Sequence, residues 1–196
     1  MTHYYSEKQT SPLHLKQIQV RVGGNSYSFY TGSGVFSKSK LDFGTKVMIK
    51  YMDIKEEDDV LDLGCGIGII GRIVSERTKG EVVLTDINTR AVKLAEMNTK
   101  NLKNIKVYQG DMYEPVSEKK FDVILLNPPQ TAGKKVCMEM IKGAMNYLKP
   151  EGNLQVVARH NKGGETLSKY MKEVFGNMDT LGKQGGYRVY KSVLNK

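Results

Sequence analysis

The chain has 196 residues, 39% hydrophobic and 26% charged, with a formal net charge of +9. That length suits one domain with a core of ordinary size, and the composition excludes collagen-like repeats, a coiled coil and global disorder. The charge is uneven, with residues 1–52 at +5, 53–133 at −3 and 134–196 at +7. A near-neutral centre between basic ends fits a surface that follows a polyanion such as RNA, although lysines kept for solubility give the same sum.

Cys65 and Cys137 stand far apart, with no CxxC pair and no histidine cluster, which excludes a disulfide scaffold and a zinc finger. His3, His14 and His160 have no ligand spacing, so no metal is expected. The opening MTHYYSEKQTSP is polar, and no window reaches the ~18 uninterrupted apolar residues of a membrane span. Neither export nor a membrane partner is expected, and a reducing cytoplasm fits best.

In chain order, residues 1–40 contain a hairpin signal. Ile18-Gln19-Val20-Arg21-Val22 and Ser26-Tyr27-Ser28-Phe29-Tyr30 alternate about Gly23-Gly24-Asn25. With no clear linker after it, this extension should pack on the body formed by residues 41–196. From residue 41 onward, short apolar runs alternate with helical patterns, the mark of βαβ units and a mostly parallel sheet. The runs are Val60-Leu61-Asp62-Leu63, Glu81-Val82-Val83-Leu84-Thr85, Ile105-Lys106-Val107-Tyr108 and Phe121-Asp122-Val123-Ile124-Leu125-Leu126. Each delivers a polar residue or glycine at its C-terminal end. Helical spacing covers residues 68–75, 89–98 and 135–148, the last closing at Lys149-Pro150-Glu151-Gly152. A run at 154–158, a helix near 165–174 and a strand at 187–190 complete a doubly wound α/β domain, whose ligands bind at the carboxyl ends of the strands.

Asp62-Leu63-Gly64-Cys65-Gly66-Ile67-Gly68 closes the first run of the alternating region, and its glycines let the backbone turn tightly and approach a ligand. Asp86 ends the next run, where a carboxylate can accept both hydroxyls of a ribose. Gly110-Asp111 follows the third and can meet an adenine amino group. Cys65 is read as a small residue in a tight loop. An NAD-linked dehydrogenase is the nearest rival, but the spacing is GxGxG rather than GxGxxG, and the fourth run ends in a motif such enzymes do not need.

That motif is Asn127-Pro128-Pro129-Gln130. Two prolines fix φ and remove backbone donors, leaving carbonyls rigidly aimed. The side-chain oxygen of Asn127 and the main-chain oxygen of Pro128 can together accept both hydrogens of an amino group. Such pairing turns the nitrogen lone pair towards an electrophile bound beside it, so catalysis becomes positioning and electrostatics without a general base or metal.

These parts, in this order, resemble the class I S-adenosylmethionine-dependent methyltransferases, a resemblance that implies a Rossmann-like seven-stranded, mostly parallel sheet. It implies further that Asp62, Gly64 and Gly66 surround the methionine moiety of S-adenosyl-L-methionine, Asp86 the ribose and Asp111 the adenine edge. The Asn-Pro-Pro turn resembles that of enzymes acting on exocyclic base amines or on the glutamine amide. Many of these carry an aromatic residue where this chain has Gln130, so Phe36, Tyr5 or Tyr187 is expected to supply a stacking platform. Over almost the whole chain, His3-Tyr4-Tyr5-Ser6, Gly34-Val35-Phe36-Ser37, Leu41-Asp42-Phe43-Gly44-Thr45 and Gly185-Gly186-Tyr187-Arg188-Val189 are similar to the small-domain family typified by small-subunit ribosomal RNA guanine-N2 methyltransferases. By that resemblance Phe36 and the 42–45 stretch lie beside the cofactor and Asn127 faces a guanine 2-amino group. Two-domain bacterial members carry an additional N-terminal half, and the single-domain form looks more like archaeal relatives. Pro129, Tyr5, Lys134, Tyr187 and Arg188 are candidate substrate contacts; a solvated helix start for Lys134 and a plain edge hairpin around 185–189 are the competing readings. The expected function is methyl transfer to an exocyclic amine of RNA, with protein glutamine methylation or a non-catalytic RNA assembly factor as alternatives.

Overall fold

The computed structural model describes residues 12–35, 41–128 and 133–195. The expected hairpin forms as β1 (Lys16–Val22) and β2 (Asn25–Thr31), paired antiparallel. Its alternation buries Val20 and Phe29 in the same core as the helices of one sheet face. Asn98 then pins it, accepting from the Tyr30 N–H at 2.7 Å and donating to the Tyr30 carbonyl at 2.9 Å.

The body is one sheet of seven strands, β3 (Val60–Leu63), β4 (Val82–Asp86), β5 (Ile105–Gln109), β6 (Phe121–Leu126), β7 (Leu148–Arg159), β8 (Asp179–Gln184) and β9 (Tyr187–Val193). Their spatial order is β5-β4-β3-β6-β7-β9-β8. The pairs among β3 to β7 are parallel, and β9 runs antiparallel to both its neighbours. Among the described residues five α-helices complete the fold: α1 (Phe43–Tyr51), α2 (Ile69–Val74), α3 (Thr89–Thr99), α4 (Lys134–Ala144) and α5 (Glu165–Phe175). Sheet residues alternate between two cores. Val60, Leu84, Val123 and Leu125 point to the side of α1, α2 and α3, whereas Leu61, Val83, Ile124 and Leu126 meet α4 and α5. Both faces are covered, so the central strands read as continuous apolar runs. Among the described residues, no helix is long and apolar enough to cross a membrane.

Two elements differ from the sequence expectation. The helix expected over 135–148 stops at Ala144, and Leu148-Lys149-Pro150-Glu151-Gly152 opens β7 instead. Leu148 pairs with Phe121, and the register then shifts before Val123 pairs with Asn153. Pro150 lies within that irregularity, and Glu151 adopts a left-handed φ of 62°. The proline and glycine therefore mark a bulge rather than a helix exit. Met145 and Leu148 are apolar because the core claims them in either conformation. The helix α1 is announced by its cap rather than by its periodicity: Asp42 accepts from the Thr45 N–H at 2.9 Å.

At the opposite end of the sheet from the site, Lys149 Nζ lies 2.7 Å from Asp59 Oδ2 and 2.7 Å from Asp122 Oδ2, tying together the starts of β3, β6 and β7. Burial pushes the Asp59 carboxyl up, but the bonds from Lys149 and the Glu81 N–H, with the charges of Lys149 and Lys119, together hold it below its ordinary value. The group is about one-third exposed, so screening limits its worth. Lys149→Ala should cost about 1 kcal/mol at neutral pH. A lowered folded-state pKa contributes above the unfolded value and is lost as pH falls through the folded one. Denaturant titrations at pH 7 and pH 3 should show the loss at the first and little of it at the second.

Candidate active site

Strand order reverses between β3 and β6, because the chain builds outward from β3 through β4 to β5 and then returns to β3's other side. At such a switch point the loops leaving the two strands part in opposite directions and open a crevice at their carboxyl ends. A cavity of about 610 Å³ lies there, walled by the residues that follow β3, β4, β5 and β6.

The floor is the loop after β3. Gly64 and Gly66 have φ of +73° and +57°, values that L side chains rarely adopt, and a Cβ at Gly66 would stand in open space at the cavity. The N–H groups of Gly64 and Cys65 both donate to the Thr85 carbonyl, so the loop is sewn to the end of β4. Asp86 Oδ2 accepts from the Gly66 N–H and Oδ1 from the Asn88 N–H, each at 2.8 Å. Asp62 is buried, and its Oδ2 accepts from the Gly71 N–H at 3.0 Å, fastening β3 to α2. Burial pushes the Asp62 carboxyl up to about 7; the Gly71 bond opposes this and the neighbouring Asp86 charge adds to it. Burial likewise raises Asp86, against its two N–H bonds. Burial lifts the Cys65 thiol well above its usual value, which suits a packing role in the loop rather than a nucleophilic one. Asp111 is exposed at the rim; its carbonyl accepts from the Glu114 N–H at 3.0 Å, and its carboxylate has no hydrogen-bonded partner among the described residues.

Asn127 ends β6 in the opposite wall, beside Pro128. Its Nδ2 donates to Thr45 Oγ1 at 3.1 Å and to Asp42 Oδ2 at 3.3 Å. With both amide hydrogens committed to the start of α1, Oδ1 is left as the free acceptor. Gly44 keeps this corner open, for a Cβ there would lie 3.0 Å from Asp42 Oδ2, 3.2 Å from Tyr187 Cε1 and 3.3 Å from Asn127 Oδ1. The Tyr187 ring lines the cavity and packs against Phe43 with centroids 5.6 Å apart, and Phe43 is exposed beside it.

Of the sequence-named residues, the cavity brings together Asp62, Gly64, Gly66, Asp86, Asp111, Asn127, Pro128 and Tyr187. Lys134 borders a smaller adjoining recess, and Arg188 lines neither. Phe36, Tyr5, Pro129 and Gln130 lie outside the described residues, although Val35 is buried in the cavity wall. Sequence spacing alone does not single out Thr45 and Asp42 as partners of Asn127; the cap on α1 is the signal for them. Among the described residues, no three potential metal ligands cluster.

Among the described residues, Asp42, Asp62, Asp86, Asp111 and Glu139 line the cavity with no lysine or arginine. Five carboxyl groups suit a ligand bearing cationic sulfonium and ammonium groups with ribose hydroxyls, and would repel a pyrophosphate. The donor set and the side-chain-free Gly66 therefore fit S-adenosylmethionine. The methyltransferase small domain family matches residues 26–191. The chain belongs to that family, and it is a class I S-adenosylmethionine-dependent methyltransferase. An uncharacterized protein of Bacillus subtilis, YbxB, is 34% identical over 97% of both chains. The ribosomal RNA small subunit methyltransferase C of Haemophilus influenzae is 33% identical over 83% of this chain and 50% of its own length. The chain thus spans about half the length of the methyltransferase C relatives it matches. Among solved structures, the T. thermophilus 16S rRNA N2 methyltransferase RsmC, in complex with AdoMet and guanosine, superimposes with a TM-score of 0.80 at 24% identity, over 96% of this chain and 53% of that one. At that identity the likeness is one of fold.

Two outcomes follow for this small-domain methyltransferase. Gly44→Ala keeps α1 helical but crowds Asp42, Asn127 and Tyr187, so kcat should fall by about 10- to 100-fold with the melting temperature little changed. Asp62 keeps a proton in the folded state that the unfolded chain has released between pH ~4 and 7, so its contribution to stability is lost as pH rises through that window. Asp62→Asn should gain on wild type over that range and run parallel to it outside. Denaturation midpoints from pH 3 to 9 would show a constant offset instead if the carboxyl ionised normally.

Proposed function

We propose that this methyltransferase modifies an exocyclic amino nitrogen of RNA, foremost a guanine 2-amino group in ribosomal RNA. The observation that carries this reading is the fixed orientation of Asn127. With Nδ2 held by Thr45 and Asp42, Oδ1 and the Pro128 carbonyl stand as paired acceptors for the two hydrogens of one amino group. An amine held by both hydrogens has its lone pair turned away from the acceptors, towards the glycine-lined side of the cavity. The bound cofactor supplies an electrophilic sulfonium methyl there. As the nitrogen gains positive charge its hydrogens become more acidic, and both accepting oxygens bind them more tightly than in the ground state. The surplus proton leaves afterwards to solvent.

On the cofactor side, we assign Asp86 to the ribose hydroxyls, Asp111 to the adenine edge, and Asp62, Gly64 and Gly66 to the methionine moiety, with Phe36 beside them. Tyr187, backed by Phe43, is the stacking surface for the base, for which Tyr5, Pro129 and Arg188 are further candidates. A paired guanine must be splayed or flipped to reach this depth. The ribosomal RNA substrate is supported by the names of the methyltransferase C relatives, and the guanosine in the RsmC complex supports the base. The basic ends of the chain support a polyanionic partner and a place in the cytoplasm beside it.

Labelled methyl should pass from S-adenosylmethionine to total RNA from a strain lacking the gene, appearing in N2-methylguanosine on nucleoside analysis. Label confined to protein would replace this reading with glutamine methylation. Asn127→Ala should keep cofactor affinity within a few-fold of wild type and cut transfer by ~10² to 10³-fold, while Asp86→Ala should weaken cofactor binding first. Full activity in Asn127→Ala would remove the proposed mechanism.

A further inference from the structure

A second cavity of about 210 Å³ adjoins the first and shares Pro128 with it. It lies where β7 ends, between the start of α4 and the turn at His160–Gly164. Among the described residues its charged lining is Lys134, Arg159 and Lys162, with no carboxylate. All three cations are exposed, and among the described residues none has a carboxylate within ion-pair distance. The neighbouring cations are paired: Lys135 meets Glu139 and Lys169 meets Glu165. Gly163 and Gly164 form part of the wall without side chains to fill it; a Cβ at Gly163 would meet nothing within 4 Å.

The two cavities have opposite electrostatics. Among the described residues the larger presents five carboxyl groups and no cation in its lining, so a phosphodiester entering with the target base would be repelled there. Among the described residues the smaller presents three unpaired cations and no anion, and it shares Pro128 with the site of the paired acceptors. We infer that the Lys134, Arg159 and Lys162 cavity is a phosphate-binding subsite that seats the RNA backbone next to the target nucleotide. It rests on the RNA reading above and extends it to a place and a set of residues. A phosphate held there fixes the register of the strand while carrying no sequence information. It also lets the base reach past Pro128 without bringing its own negative charge into the acidic cavity. Arg159 and Lys162 belong to no motif; β7 and the turn after it bring them beside Lys134.

The test uses the full chain and a labelled small-subunit ribosomal RNA fragment that wild type methylates, with anisotropy measured across a salt series. Replacing all three cations by alanine should lower the slope of log affinity against log salt by about 2 and raise KM for RNA at least ~10-fold. S-adenosylmethionine affinity should stay at the wild-type value, showing an intact fold. Lys103→Ala, an exposed lysine before the far edge strand β5, serves as the control and should change neither quantity. Equal losses in the control and the triple variant would mean diffuse charge and overturn the subsite, as would unchanged RNA binding in the triple variant. A wild-type protein that methylates and binds no RNA would overturn the RNA reading itself, and the subsite with it.

Discussion

A sheet covered on both faces leaves polar side chains free to meet a ligand chiefly where its strands stop, and the rest of this molecule is arranged by that constraint. In β3, β4 and β6 nearly every position up to the carboxyl end is buried. The polar groups that could meet a ligand are thus displaced to one edge, at Asp62, Asp86, Asp111 and Asn127. Strand order then decides which of these meet. With β3 and β6 adjacent at the reversal, the glycine loop and the Asn-Pro turn face each other across one crevice, although more than 60 residues separate them.

Within that crevice the most consequential contact crosses from outside the sheet. Asn127 offers either its oxygen or its nitrogen unless something chooses, and the choice is made by α1, which supplies Thr45 Oγ1 and the capping carboxylate of Asp42. Asp42 therefore acts twice, ending a helix and orienting an amide 85 residues away. A glycine between the two partners is what allows the helix to come this close. Stability and function share one geometry here, so small shifts of α1 should be felt in turnover before they are felt in folding.

The parts of this design that follow local rules were legible in the sequence. The central strands announce themselves as apolar runs ending in Gly64, Asp86, Gly110 and Asn127, and helix spacing is right where a face packs, as in α3 and α5. The misreading over 145–152 arose because Met145 and Leu148 satisfy a helical period and a strand in the same core equally well, and nothing local distinguishes a bulge from a helix exit. The edge strand β8 is mostly exposed and so carries no apolar run to read. For the site, the acidic and glycine residues were visible because each obeys a spacing within one βα unit. The bonds from Asn127 to α1, and the meeting of Arg159 and Lys162 with Lys134, are products of tertiary structure and have no local signal.

The distribution of charge shows the same separation at a larger scale. A net +9 spread evenly would place cations near every carboxyl and weaken both. Instead, among the described residues, the larger cavity has five acidic groups and no lysine or arginine in its lining, only Glu139 of the five meeting a lysine from outside it, and the adjoining recess has three cations and no acid in its lining. Screening by salt reaches exposed groups first, so the exposed basic recess should respond strongly to ionic strength, whereas Asp62 and Asp86, held in the interior, should respond mainly to pH. On the proposed reading, neighbouring surfaces recognise a cationic cofactor and a polyanionic substrate, with Pro128 as the boundary that the target base passes to reach the methyl.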